Sequence, residues 1–120
     1  MSFQLTLEQM PGYLAARFTG AGAPEEAWRQ AELIVDHCKR TNNDRLIIDT
    51  TGFEVKISTT DRFNLGERLW IFARNKIKVA FVSAPEQIDP EKFTLLVARN
   101  RGVIVETFTD FQPAEEWLLK

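Results

Sequence analysis

The run Ser58-Thr59-Thr60-Asp61 is the part of the chain whose residue types and spacing best suit chemistry. A hydroxyl followed three residues later by a carboxylate forms a capping box. Ser58 would satisfy a free backbone N–H at a helix start, and Asp61 would reach back to the backbone of Ser58. The same hydroxyl could also take a phosphate, adding close to two negative charges and three acceptor oxygens at the helix entrance. The helix dipole would favour that charge and Asp61 would oppose it. Ser58 and Thr59 are therefore read both as a cap and as a candidate phosphorylation switch.

Other reactive side chains lack partners at useful spacing. Asp49 ends an apolar segment, and ligands of open α/β sheets bind at the carboxyl ends of strands. A phosphoacceptor aspartate of the receiver type would need an acidic pair after an earlier strand to hold magnesium. The corresponding stretch is Thr19-Gly20-Ala21, so Asp49 is expected to accept hydrogen bonds from Thr51 or Gly52. His37 and Cys38 are adjacent on a helical segment and point about 100° apart, a poor geometry for a nucleophile–base pair. They read as a surface histidine and a core thiol, and no metal site is expected. Gly20-x-Gly22 lies where a dinucleotide fingerprint would begin, but Glu25 and Glu26 follow and would repel a pyrophosphate. No cofactor is expected. An enzyme would have to draw on Asp49, Ser58, Asp61 or Arg62, and nothing in their spacing orients an acid–base pair, so a non-enzymatic protein is expected.

The elements that must position these residues follow from periodicity. Phe3–Gln9 alternates apolar and polar, Pro11-Gly12 is a turn, and Tyr13–Thr19 continues as a second strand of a hairpin. Pro24–Arg40 is predicted helical, with Ala27, Ala31, Ile34, Val35 and Cys38 as its apolar stripe. Leu46–Ile48 reads as a strand covered on both faces and closed by Thr50-Thr51-Gly52. A helix over Ser58–Ala73 carries Leu65, Leu69 and Phe72 on one stripe and Phe63, Gly66 and Trp70 on another. Lys78–Val82 is a strand, Asp89–Asn100 a helix with Phe93, Leu96 and Val97 inward, Val103–Phe108 a strand, and Asp110–Leu119 a closing helix. The order ββαβαβαβα implies an α/β domain spanning residues 1–120, with a mostly parallel five-stranded sheet and an antiparallel edge strand.

Composition limits the classes of function. Fifteen Lys and Arg stand against 17 Asp and Glu, a net charge of -2, which disfavours general nucleic-acid binding. The basic residues at Arg74–Lys78 and Arg99–Arg101 are interspersed with acidic ones elsewhere and read as solvated loop charge rather than a phosphate or anionic-lipid patch. No apolar run approaches the roughly 18–20 residues of a membrane span. One cysteine allows no internal disulfide. With no secretory signal visible at Met1–Leu5, a cytoplasmic setting is expected.

Two resemblances carry further expectations. Leu46-Ile-Ile-Asp49-Thr-Thr-Gly52 followed by Ser58 resembles the STAS domain of anti-sigma-factor antagonists. Ser58 falls on the serine that family phosphorylates and Thr59 on the next one, while Ile57 and Thr60 replace the aspartate and glycine of its motif. The chain more closely resembles the small bacterial SpoIIAA-like proteins of STAS/Sec14 type. The likeness rests on Ser58-Thr-Thr-Asp-Arg62-Phe63, on Phe108-Thr-Asp110 and on Ala114-Glu-Glu-Trp117-Leu118, and it covers nearly the whole chain. It implies a SpoIIAA-like α/β fold with no established chemistry of its own, serving as a regulatory or protein-interaction module. The Sec14 likeness implies, as the alternative, an apolar or lipid ligand or a membrane-surface role.

Nine Phe, three Trp and one Tyr are generous for this length. Phe63, Phe93 and Trp117 are placed inward. Phe53, Trp70, Phe72 and Phe111 are the candidates for a face that meets a partner or ligand. A protein partner is expected there, or a second copy joined through the Ser58–Ala73 helix or an edge strand. An apolar ligand would instead need a cavity of several hundred cubic ångströms between sheet and helices.

Overall fold

A computed structural model describes residues 2–120. Five strands form one sheet: β1 (Phe3–Met10), β2 (Tyr13–Ala21), β3 (Arg45–Glu54), β4 (Lys78–Val82) and β5 (Val105–Phe108). They lie side by side in chain order, with β1 antiparallel to β2 and every other neighbour pair parallel. The expected architecture is therefore present, antiparallel edge strand included.

Strand order dictates where the helices go. Right-handed crossovers between strands that always step in one direction must all pass over the same face. That face receives α1 (Pro24–Trp28) and α2 (Gln30–Arg40), then α3 (Thr59–Arg68) and α4 (Trp70–Arg74), then α5 (Phe93–Asn100). Their core joins Leu14, Ala16, Phe18, Leu46, Ile48 and Val79 of the sheet to Ile34, Cys38, Leu69, Phe72 and Leu95. The opposite face is covered by α6 (Phe111–Leu118) alone, which packs Ala114 and Leu118 onto Tyr13, Ala15, Ile47, Ala80 and Val82.

Two expected long helices each consist of two segments. They meet at Arg29 and at Leu69, residues whose backbone stays in the right-handed helical region. The third begins later than its apolar pattern indicates. Lys92 adopts a left-handed conformation at φ 53°, and the Asp89 carboxylate takes the N–H groups of Glu91 and Phe93, so the helix starts at Phe93 instead of Asp89. Its inward residues are Leu95 and Ala98, while Leu96 is exposed. Phe63 also differs from expectation: it is exposed, with its ring 6.4 Å from that of Phe93.

The largest departure lies in β3. Thr50-Thr51-Gly52 does not close the strand, which continues to Glu54. Arg17 pairs with Asp49 but Thr19 pairs with Gly52, so β3 carries one residue more than β2 across that interval. This bulge shifts the side-chain alternation by one. Phe53 therefore turns to the helix face, where it is buried against the rings of Phe3 and Phe18 at 5.6 and 5.7 Å. Gly20, at φ +95°, makes this corner possible. A Cβ there would sit 2.7 Å from the Ser2 carbonyl oxygen.

Candidate ligand cleft

The helix face does not close completely. Between the carboxyl ends of β3 and β4 and the helices α1, α3 and α5 lies a cleft of about 990 Å3. Its apolar wall includes Ile34 and Ile48, Phe53 and Phe72, and Leu65 and Leu69. Gly66 helps set its shape. Its missing side chain lets α3 approach α5 closely, since a Cβ would lie 2.6 Å from Val97 Cβ.

The inner polar groups of the wall are paired with one another. The Thr50 hydroxyl, within β3, and the Ser83 hydroxyl, just past the end of β4, are 2.9 Å apart. The Gln87 side-chain amide donates to the carbonyls of Thr50 and Phe53, both at 2.9 Å, and its oxygen accepts from the Ala84 N–H. Arg62 of α3 meets Asp89 ahead of α5 at 3.1 Å. The N–H of Phe93 holds the Asp89 carboxyl below the usual carboxylate range; burial opposes it, and the Glu91 N–H and the Arg62 guanidinium add to the lowering. Among the described residues no buried side-chain nitrogen or oxygen lacks a hydrogen-bond partner. A molecule in this cleft would meet apolar walls, these paired polar groups and, toward solvent, the exposed Glu54, Lys56, Glu86 and Lys92.

The candidate residues disperse over three places. Phe53 and Phe72 line the cleft, and both are buried, with Phe72 at 1% exposure. Trp70 projects outward, half-exposed, beneath the Arg74 guanidinium at 5.5 Å. Phe111 lies on the opposite face of the sheet, where the Arg17 guanidinium covers its ring at 5.1 Å. Ser58 forms the expected capping box: its Oγ accepts from the Asp61 N–H at 3.0 Å and its own N–H donates to the Asp61 carboxylate at 2.9 Å. Ser58 and Thr59 are exposed, and the preceding Lys56 and Ile57 line the cleft mouth.

Asp49 accepts from the Thr51 N–H at 3.0 Å and from the Thr51 hydroxyl at 2.7 Å, bonds expected of it but made at the bulge within β3 rather than in a turn. It faces α6 and approaches Arg17 at 3.7 Å, on the far side of the sheet from Ser58, Asp61 and Arg62. These four residues are not brought together. Cys38 is fully buried, and burial pushes its thiol up to about 11, far from the reactive thiolate range. Among the described residues no three His, Cys, Asp or Glu side chains group where a metal ion could sit. No helix among them is long and apolar enough to cross a membrane.

Sequence reasoning missed Thr50, Ser83, Gln87 and Asp89 as cleft residues. A usable signal was present: Thr50 and Ser83 lie just beyond the apolar runs Leu46–Ile48 and Val79–Val82, toward the side where α/β sheets open.

This architecture is a SpoIIAA-like fold. One solved structure that shares it is an uncharacterized DUF3478-family protein from Shewanella loihica PV-4, with a SpoIIAA-like fold. It is 19% identical over 97% of this chain and 93% of that one, at a TM-score of 0.56. Another is an anti-sigma factor antagonist from Mycobacterium paratuberculosis, 12% identical over 99% of this chain and 96% of that one, at a TM-score of 0.65. No protein-family model and no curated protein matches the chain.

Proposed function

We propose that the protein is a non-enzymatic regulatory module whose state is set by a small, largely apolar molecule held in the cleft. The observation that carries this reading is the cleft itself. Its volume, about 990 Å3, lies at the upper end of the range of small-molecule sites. Its buried polar groups are paired, so recognition deep in the cleft falls to shape and apolar contact, while the exposed Glu54, Lys56, Glu86 and Lys92 supply charge only toward solvent. A protein partner would read the occupied state. Support for that second half comes from the likeness to an anti-sigma factor antagonist and from the position of Ser58. A phosphate on Ser58 would stand against Asp61 at the start of the helix that walls the cleft.

Native mass spectrometry of freshly purified protein tests the first half. The expected result is an adduct of roughly a few hundred daltons, the mass of a ligand that fills such a site. The stripped protein should bind the apolar dye 1-anilinonaphthalene-8-sulfonate saturably, and Leu65→Trp, which narrows the cleft, should weaken that binding. No adduct together with no saturable dye binding would overturn the proposal. Ser58→Asp should alter dye affinity if the cap and the cleft are coupled.

A further inference from the structure

The two edges of the sheet are not equivalent. β5 is short, four residues, and its outer edge is occupied: the Arg99 guanidinium donates to the Val105 carbonyl at 3.0 and 3.3 Å. β1 is eight residues long and pairs with β2 alone. The Ala21 N–H donates to the Ser2 carbonyl at 3.2 Å, and the register runs from Phe3 opposite Gly20 to Met10 opposite Tyr13. In an antiparallel ladder hydrogen-bonded pairs alternate. Gln4, Thr6 and Glu8 therefore turn their backbone groups toward β2, while Phe3, Leu5, Leu7 and Gln9 turn theirs outward. Phe3–Met10 contains no proline, no lysine and no bulge, the devices that usually blunt such an edge.

A groove of about 340 Å3 runs beside this edge on the helix face, lined by Phe3, Leu5, Leu7, Gln30 and Leu33. Leu33 is 50% exposed although it lies on a helix that packs against the core.

We infer that the β1 edge is the seat of a second copy of this chain, added antiparallel to form a continuous ten-stranded sheet, twice the five of one chain. The sequence of β1 is complementary to itself in the required register. With a two-fold axis at Thr6, Leu5 stands opposite Leu7 of the second copy and Phe3 opposite Gln9. Every outward N–H and C=O of those four residues then gains a partner. On the opposite face Thr6 meets Thr6 and Gln4 meets Glu8, so no like charges oppose each other, and Glu8 is already paired with Arg17. The two apolar grooves meet across the axis and cover Leu33 of each copy. The guarded β5 edge explains why association stops at two. A β1 edge that added to β5 of the next molecule would propagate without closing, whereas a two-fold β1 contact closes.

Sedimentation velocity on the full chain tests the inference. A dimer is expected at a concentration on the order of 100 μM. Thr6→Lys sets two lysines against each other at the axis, on a face exposed in the single chain, and should weaken association by about tenfold or more. Leu5→Pro removes one outward N–H without touching the β1–β2 ladder and should do the same. Circular dichroism reports whether each variant keeps its fold. If Leu5→Pro does not fold, Thr6→Lys alone decides. A wild-type chain that stays monomeric overturns the inference, whether the edge is bare or taken by a different protein. So does a dimer that a folded Thr6→Lys leaves unchanged, because its interface must lie elsewhere.

Discussion

On the face that carries Leu14, Leu46 and Val79, three helical connections cross the sheet with large side chains and leave a cleft at its carboxyl end. On the face that carries Tyr13, Ile47 and Ala80, one eight-residue helix lies directly on the strands. The side chains that meet under α6 are small: Ala15, Ala80 and Ala114 are all fully buried. Small residues let a helix approach a sheet closely and leave no gap. Tyr13 closes the join by donating from its hydroxyl to Glu115 at 2.5 Å, and burial, then that bond, pushes its phenol well above the usual range. Lys78 donates to the Trp117 carbonyl at 2.9 Å, near the end of α6 where a cation suits the dipole. The contrast follows from strand order. A sheet whose strands never reverse direction of addition sends every crossover to one face, and only a terminal element remains to seal the other. The crowded face has helices to spare for shaping a site, and the sealed face holds the sheet together.

Leu118→Ala is the strongest way to break this contrast. Leu118 is fully buried among alanines and strand side chains that cannot move in to fill the space. The expected loss is about 2–5 kcal/mol, read from chemical denaturation. Leu65→Ala on the cleft wall should cost only about 1 kcal/mol, because Leu65 is half-buried and its removal enlarges a space that is already open. Equal losses at the two positions would mean that the cleft is as tightly packed as the α6 face.

Most of this contrast was legible before the structure. The alternation of strands and helices determined the sheet, the capping box placed Ser58, and the helical segments Pro24–Arg40 and Asp110–Leu119 carried Ile34, Cys38, Ala114 and Leu118. What stayed hidden depended on pairing between distant segments. Thr50-Thr51-Gly52 has the composition of a strand end, and only its register against Arg17 and Thr19 reveals a bulge that carries the strand onward. Phe53 consequently looked available for a partner and is buried instead. The late start of α5 also hinges on one backbone angle at Lys92, which no periodicity encodes. The cleft residues Thr50, Ser83 and Gln87 come from two segments more than 30 positions apart that meet only through the β3–β4 pairing.

Gly66→Ala sharpens the comparison on the cleft side. An added methyl would lie 2.6 Å from Val97 Cβ and 2.9 Å from the Thr94 carbonyl oxygen. Alanine gains about 1 kcal/mol of helix propensity over glycine, and overpacking costs about 1–3 kcal/mol. The expected outcome is a net loss of about 1 kcal/mol, together with changed dye affinity in the cleft as α3 is pushed away from α5. A stabilised variant with unchanged dye binding would show that the α3–α5 approach does not set the cleft's shape.

The smallest expected effect concerns the same join and is seen only as a function of pH. The folded state holds the Asp89 carboxyl below its ordinary value, chiefly through the Phe93 N–H, so the unfolded chain takes up a proton there first as acid is added. Stability from this group is then fully present above the unfolded value of about 4 and is lost as pH falls through the folded one. Asp89→Asn keeps the shape but accepts more weakly from Glu91 and Phe93 and loses the attraction to Arg62. At pH 7 the variant should be less stable by up to about 1 kcal/mol, the scale of a helix cap or a partly exposed ion pair. In acid the gap between wild type and variant should narrow, because the wild-type carboxyl becomes neutral as well. No such narrowing is expected for Leu118→Ala, whose loss comes from packing and carries no proton. A gap at Asp89 that stayed constant with pH would mean that its side chain holds α5 by shape alone, like the face beneath α6.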